Sequence, residues 1–199
     1  MVIKPSGVPY DELTPEQMVI TDLSGRVIES NLRPSSDLPT HLEIYKHFPN
    51  VGGVAHTHSA AASAWAQAGK AIPCFGTTHA DYFHGPIPVT ATLSKAAIEG
   101  DYERETGLAI VRAFTDTDPD TIPAVLVAGH APFTWGADAA AAAHHAEVVE
   151  YVAAMATDTL AINPDAAPLS RELHDRHFLR KHGPKAYYGQ SSARRASNE

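Results

Sequence analysis

Two histidines in the segment VGGVAHTHS, residues 51–59, are the side chains whose spacing points most directly to chemistry. A single residue separates His56 from His58, and the apolar run before them predicts a buried strand. Side chains at i and i+2 of a strand share a face, so both imidazoles could approach one metal ion. A catalytic zinc site needs about three protein ligands and an open position, so further ligands are required.

Two more candidate ligands lie at the ends of predicted elements. His130 follows the buried strand predicted in IPAVLVAGH, and Asp37 begins a helix predicted over roughly residues 37–48. Strand ends are where α/β sheets gather ligands, and imidazole with carboxylate suits Zn²⁺, Mn²⁺ or Co²⁺. Other interpretations stay open, because the histidines could be hydrogen-bonded core residues and Asp37 could simply cap its helix.

A second group of reactive side chains occupies the loop GTTHADYFHGP and the segment AYYGQ. Asp81 lies among aromatic residues, where a raised pKa would suit an acid or base, although it could equally form a turn before Gly85. One phenol of Tyr187 or Tyr188 could donate a proton or pack at an interface. Several polar groups are of kinds that can hold a phosphate, although such groups are often simply solvated. They are Lys4, Ser6, Gly7, Ser35, Ser36 and Arg180.

The elements that must position these groups alternate between strands and helices, which predicts an α/β fold. Two short strands are expected in MVITDLSGRVIES, joined at Ser24 and Gly25. Residues 71–93 are expected to form short strands and loops. Helices are predicted in four further segments, SAAASAWAQAG, GDYERETGLAIVRAF, ADAAAAAHHAEVVEYVAAMATDTL and SRELHDRHFLRKHG.

Composition narrows the class of protein. The chain has 199 residues, 44% hydrophobic and 19% charged, as expected for one core. The net charge of −8, without basic clusters interleaved with aromatics, argues against nucleic acid as a partner. The single cysteine allows no intrachain disulfide and no apolar run reaches membrane-spanning length, so we expect a cytoplasmic protein without a membrane partner. We predict one domain over residues 1–190 and a disordered tail over 191–199.

Seven motifs in order resemble those of the L-ribulose-5-phosphate 4-epimerases in the class II aldolase and adducin superfamily. They are KPSGVPYDELTPEQMV, NLRPSSDLPTHLEIYKHFP, GGVAHTHS, TTHADYFHGPIPVT, IEGDYERETG, GHAPFTWG and HFLRKHGPKAYYGQ. The resemblance covers about residues 2–190. It implies a three-layer α/β/α sandwich around a largely antiparallel sheet, a cyclic homotetramer, and a role in pentose phosphate metabolism such as arabinose catabolism.

The resemblance also implies roles for individual residues. Asp37, His56, His58 and His130 would hold the metal, usually zinc. Asp81 and Tyr188 would be a proton-transfer pair on opposite faces of the substrate, with at least the tyrosine supplied by a neighbouring subunit. Phosphate-binding positions match Ser6, Gly7, Ser35 and Ser36, and nearby polar positions match Lys4, Thr77, His177 and Arg180.

The implied reaction converts L-ribulose 5-phosphate to D-xylulose 5-phosphate by breaking and re-forming the C3–C4 bond. The C4 hydrogen is not acidic, so simple proton abstraction is excluded, while a divalent ion can stabilise the enediolate left by retro-aldol cleavage. Two alternatives remain. One is a class II aldolase of the fuculose-phosphate type, in which a glutamate replaces Asp37, and the other is a noncatalytic oligomeric module like the adducin head.

Two departures from the family pattern lead to further expectations. The family begins with a helix and strand carrying a Gly-Asn-x-Ser motif, and no such motif occurs here, so we expect these first elements to be missing. The family sequence Gly-His-Gly-Pro-Phe is Gly-His-Ala-Pro-Phe in this chain, which places the methyl group of Ala131 beside a proposed ligand. We expect metal binding to survive that methyl group.

Overall fold

The computed structural model describes residues 1–188 and contains two antiparallel three-stranded sheets and seven α-helices. Short 3₁₀ helices cover Tyr10–Glu12 and Pro15–Gln17. The strands are β1 (Val2–Ile3), β2 (Val19–Thr21), β3 (Val27–Glu29), β4 (Gly53–His56), β5 (Ala124–Leu126) and β6 (Pro132–Gly136). The helices are α1 (Leu38–His47), α2 (Ala60–Gln67), α3 (Thr77–Ala80), α4 (Lys95–Glu99), α5 (Tyr102–Ala113), α6 (Ala139–Ile162) and α7 (Arg171–His182).

The central sheet has the order β4–β6–β5, with both pairs antiparallel. Its register places His56 opposite Phe133, so these two side chains share one face of the sheet. On that face Trp135 packs against Phe48 and Phe114, which lie at the ends of α1 and α5. On the other face the Thr134 hydroxyl donates to the carbonyl of Ala142 in α6, at 2.8 Å. Helices therefore cover both faces, which confirms the predicted α/β/α sandwich.

Glycines allow α6 to approach the central sheet closely. A Cβ atom on Gly53 would overlap the backbone of Asp138, just before α6, and one on Gly136 would lie 2.6 Å from the Ala141 Cβ. Ala142 and Ala146 then present small buried side chains to the strands. The long alanine-rich helix predicted from the sequence is thus the main cover of this face.

The second sheet has the order β1–β2–β3 and packs on the start of α1. Ile3 and Val19 from this sheet form a small apolar cluster with Leu38 and Leu42 of α1. The two short strands predicted around Ser24 and Gly25 are β2 and β3. This sheet fixes the loop that follows β1 beside the loop that precedes α1, through the bridge between Pro5 and Pro34.

Three local expectations were wrong or incomplete. Strand β6 was not predicted, because Pro132 is unfavourable within a strand, yet a proline is tolerated at the first residue. Strand β4 ends at His56, so His58 lies beyond it and not on the same strand face. Residues 71–93 form mainly loops with the short helix α3 and isolated bridges such as Ile72 with Ile87.

The predicted tail, 191–199, lies outside the described residues, and the single domain over 1–190 stays a prediction. Within residues 1–188, none of the helices has the length and apolar character that crossing a membrane requires.

Candidate metal centre

Three imidazoles converge at the edge of the central sheet. The Nε2 atoms of His56 and His58 are 3.1 Å apart, and Nε2 of His130 is also 3.1 Å from that of His58. Tetrahedral zinc with Zn–N bonds of about 2.0–2.1 Å separates its nitrogen ligands by about 3.4 Å, close to this spacing. All three imidazoles offer a ligand atom within 4.8 Å of the others, so the group could hold a divalent transition metal.

Each histidine reaches this point from a different local structure. His56 ends β4, and its ring stacks on Phe133 at 4.0 Å between centroids. His58 follows in the turn between β4 and α2. His130 lies at the tip of the β5–β6 hairpin, where Gly129 has a φ of +73° that suits glycine and the His130 amide donates to the Val127 carbonyl.

The buried methyl group of Ala131 is accommodated in this hairpin. Ala131 is fully buried and does not have a positive φ, so alanine fits the backbone here as well as glycine would. The substitution relative to the family pattern therefore leaves the position of His130 intact.

The hydrogen bonding and electrostatics favour imidazoles that can act as ligands. Nδ1 of His56 donates to the Pro132 carbonyl at 2.9 Å, which leaves the Nε2 lone pair directed at the other histidines. The pKa of His56 is lowered to about 4, mainly by burial and also by the neighbouring histidines, while the hydrogen bond to Pro132 and the charge of Asp37 oppose the shift. Burial likewise lowers the pKa of His130. Neutral imidazole is the form that binds metal.

The histidines open into a cavity of about 920 Å³. Its wall includes further predicted site residues, Lys4, Ser35, Ser36 and Asp37. The loops that carry them are bonded together, since the Ser35 amide donates to the Lys4 carbonyl and the Ser6 amide donates to the Arg33 carbonyl. Ser6 and Gly7 do not line the cavity but occupy the adjoining turn, where Gly7 has a φ of +73°.

Asp37 immediately precedes α1 but does not cap it with its side chain. The carboxylate instead acts electrostatically on the histidines, raising the pKa of both His56 and His130 against the effect of burial. The capping alternative is therefore wrong for this residue. The described histidine group does not include Asp37, so its role as fourth ligand stays a prediction.

The other predicted site residues form a separate cluster, which we call the α7 cluster: Thr77, Asp81, His177, Arg180 and Tyr188. Arg180 Nη2 donates to both oxygens of Asp81 at 2.9 and 2.8 Å, and His177 Nδ1 lies 3.0 Å from the same carboxylate. The Arg180 guanidinium also lies 4.9 Å from the centre of the Tyr188 ring. Thr77 begins α3, and its carbonyl accepts the Asp81 amide. None of these residues lines the 920 Å³ cavity.

Of the two interpretations of Asp81, the one that gave it a raised pKa was wrong in direction. Burial by itself raises the pKa of this carboxyl, but hydrogen bonds from Arg180 and His177, together with the charge of Lys181, lower it overall. Groups on α7, about a hundred residues later in the chain, therefore determine the direction in which the pKa of Asp81 shifts. Asp81 is therefore an ionised hydrogen-bond acceptor at neutral pH.

Sequence reasoning missed three residues that line the cavity: Tyr10, His41 and Tyr45. His41 lies one turn after Asp37 on the same face of α1, and that i, i+4 spacing could have identified it. Burial lowers the pKa of His41 to about 4, so its imidazole is neutral. No sequence signal marked Tyr10, which the 3₁₀ turn after β1 brings to the cavity.

Comparisons with known proteins agree with this architecture. The family model for the class II aldolase and adducin N-terminal domain matches residues 1–157. Among solved structures, an L-fuculose 1-phosphate aldolase is 22% identical with a TM-score of 0.73, covering 88% of this chain and 77% of its own. The putative aldolase/epimerase/decarboxylase YgbL from Escherichia coli is 21% identical, with a TM-score of 0.67 and coverages of 87% and 79%. At these identities the structural likeness shows a shared fold.

Proposed function

This chain belongs to the class II aldolase and adducin family, and on that premise we propose that it is a metal-dependent epimerase converting L-ribulose 5-phosphate to D-xylulose 5-phosphate. The main support is the convergence of His56, His58 and His130 in a cavity that also exposes Asp37. Zn²⁺ is the proposed ion, with Mn²⁺ or Co²⁺ as substitutes. A bound ion would act as a Lewis acid for the negative charge that develops on the substrate oxygens.

The protein residues would hold the sugar phosphate and carry out one proton transfer on each face of the substrate. Lys4, Ser35 and Ser36 line the wall of the cavity and would supply donors to the phosphate, while Ser6 and Gly7 lie in the adjoining turn. Anchoring the phosphate keeps the two-carbon aldehyde from leaving after the C3–C4 bond breaks. The aldehyde can then turn, and bond formation on its opposite face inverts C4.

Proton transfer at the C4 oxygen would fall to Asp81 and Tyr188. The ionised carboxylate of Asp81 would accept the hydroxyl proton as the C3–C4 bond breaks, and the phenol of Tyr188 would donate a proton to the oxygen when the bond re-forms on the other face. Loss of the proton from Asp81 to solvent and uptake of one by Tyr188 would then reset the pair. His177 and Arg180 would orient the Asp81 carboxylate. Thr77 would support the same group through α3.

These groups and the metal cavity would meet between subunits. Within one chain the α7 cluster does not line the cavity, and Tyr187 and Tyr188 are 69% and 60% exposed. A homotetramer in which one subunit supplies the cavity and its neighbour the α7 cluster accounts for both observations. Co-expression of His58→Ala and Arg180→Ala subunits should then restore part of the activity that each variant loses alone. Failure of the mixed oligomer to recover activity would refute shared sites.

The metal claim is tested by His58→Ala, since His58 is exposed and its loss should not disturb folding. We expect the wild-type protein to retain about one zinc per chain and the variant to lose it, whereas His144→Ala, an exposed histidine of α6, should bind as wild type does. Wild-type protein without metal affinity would refute the site.

A class II aldolase of the fuculose-phosphate type is the second candidate, because three of the similar structures are L-fuculose 1-phosphate aldolases. The two reactions differ in product. We expect metal-loaded protein to form D-xylulose 5-phosphate from L-ribulose 5-phosphate without accumulating free aldehyde. Release of an aldehyde and dihydroxyacetone phosphate from L-fuculose 1-phosphate, without epimerisation of the pentose phosphate, would establish the aldolase instead.

A further inference from the structure

The N-terminus of α2 is capped by a residue far away in the sequence. Ser59 occupies the N-cap position with extended backbone angles, but its side chain makes no capping hydrogen bond. The carboxylate of Glu150, in the middle of α6, takes that role. Its Oε1 accepts from the Ala61 amide at 2.8 Å and its Oε2 accepts from the Ala62 amide at 2.9 Å.

Helix α2 connects two of the three candidate metal ligands. It begins two residues after His58, so the start of the helix determines where that side chain lies. Towards its other end, the Ala66 carbonyl accepts the Gly129 amide at 2.8 Å, directly beside His130. Both ligand turns are therefore attached to one eight-residue helix.

Two side-chain contacts fasten α2 to α6. The first is the pair of hydrogen bonds to Glu150. The second is Trp65, whose Nε1 donates to the Ala153 carbonyl at 3.1 Å and to the Thr157 hydroxyl at 2.9 Å. Glu150 acts at the end nearer His58, and a carboxylate there is favoured by the helix dipole and the free amides of the first turn.

The charge state of Glu150 is consistent with this contact. Burial raises its pKa, but hydrogen bonds from the Ala62 and Ala61 amides lower it overall. The group is therefore ionised at neutral pH. An ionised acceptor binds amides more strongly than a neutral one.

The geometry points to Glu150 as a positioning residue of the metal centre, which holds α2 and with it His58 and His130 at ligand spacing. This inference rests on the proposed metal site. Glu150 acts through α2 and does not itself contact the ion or substrate. Loss of a residue that orients metal ligands typically weakens metal binding by 10- to 100-fold.

The test is the zinc affinity of each variant, measured by competition with a chelator. The measurement is made well below the unfolding temperature of that variant. We expect Glu150→Ala to weaken zinc binding by at least about tenfold. Glu150→Gln keeps one acceptor oxygen and should lie between this variant and wild type. Hydrogen exchange of the metal-free protein should show faster exchange of the Ala61 and Ala62 amides in Glu150→Ala.

Two controls separate positioning from general stability. Glu147→Ala removes an exposed carboxylate from the same helix and should leave zinc affinity unchanged. Ile110→Ala removes a buried side chain from α5 and should lower the unfolding temperature without weakening zinc binding. Equal zinc affinity for Glu150→Ala and wild type would overturn the role of Glu150 and leave the proposed metal site standing. A wild-type protein that binds no zinc would overturn the proposed metal site and the inference with it.

Discussion

Replacing Asp81 by asparagine should loosen α7 without unfolding the rest of the protein. The Asp81 carboxylate accepts from Arg180 and lies 3.0 Å from His177 Nδ1 and 3.3 Å from Lys181 Nζ. Asparagine keeps the shape of the side chain but removes its charge and one acceptor oxygen. Three cationic or potentially cationic groups of α7 would then face a neutral amide.

The expected loss follows from the exposure of this cluster. The Asp81 side chain is 15% exposed, so its hydrogen bonds are largely shielded from solvent. Hydrogen bonds to a charged group contribute about 1.5–3 kcal/mol, and we expect the free energy of local opening of α7 to fall by about 2–3 kcal/mol. That change corresponds to roughly 30- to 150-fold faster exchange of its amides. Phe178 is the only buried residue of α7 and does not belong to the main core cluster, so global stability should change little.

Native-state hydrogen exchange of the peptides covering Arg171–His182 measures this effect. Asp175→Asn is the matched control, because it removes the partly exposed contact between Asp175 and His84, and solvent screening should make its effect on the protection of α7 small. Unchanged protection of α7 in Asp81→Asn would refute the reasoning. Equal loss of protection in all helices would show that α7 does not open independently.

Three further predictions concern the core. Gly53→Ala should lower the free energy of unfolding, measured with denaturant, by about 1–3 kcal/mol, because the new methyl group overlaps the start of α6. The control Gly76→Ala should be nearly neutral, because its methyl group meets no atom within 4 Å. Equal unfolding midpoints for the two variants would contradict this prediction. Trp135→Phe should lower the free energy of unfolding by about 1–3 kcal/mol in the same assay, because the Pro119 carbonyl loses a hydrogen bond of 2.9 Å. Unchanged stability would count against that bond. Burial lowers the pKa of His79 to about 4 from an unfolded value of 6.5, so the unfolded state takes up the proton first and stability falls by roughly 3 kcal/mol between pH 6.5 and 4. His79→Gln should reduce the slope of the stability curve in that range, where His41 and His56 also contribute, and parallel curves would refute the assignment.

The sequence predicted most of the helices and strands, because these depend on local patterns. Continuous apolar runs marked β4 and the strand before His130, and Asp37 marked the start of α1. These signals extend over only a few residues. The convergence of His56, His58 and His130 followed from placing each at the end of an element, even though His58 proved to lie beyond its strand.

Features set by distant residues were not predictable from local patterns. The pKa of Asp81 is lowered by groups on α7, and the cap of α2 comes from α6, 89 residues after Ala61 along the chain. No window of sequence contains both partners of such contacts. Strand β6 was missed for a different reason, since its proline occupies the one strand position where proline is tolerated.

The wide spacing of the ligands along the chain determines when the metal centre can assemble during folding. The β5–β6 hairpin that carries His130 is local and can form early, whereas β4 must close a much longer loop to pair with β6. His58 and His130 are 72 residues apart, and their spacing is established only after that closure. An ion at the proposed site would therefore bind only after this closure, so zinc supplied during refolding should slow unfolding of the finished protein and leave the earlier folding phases unchanged.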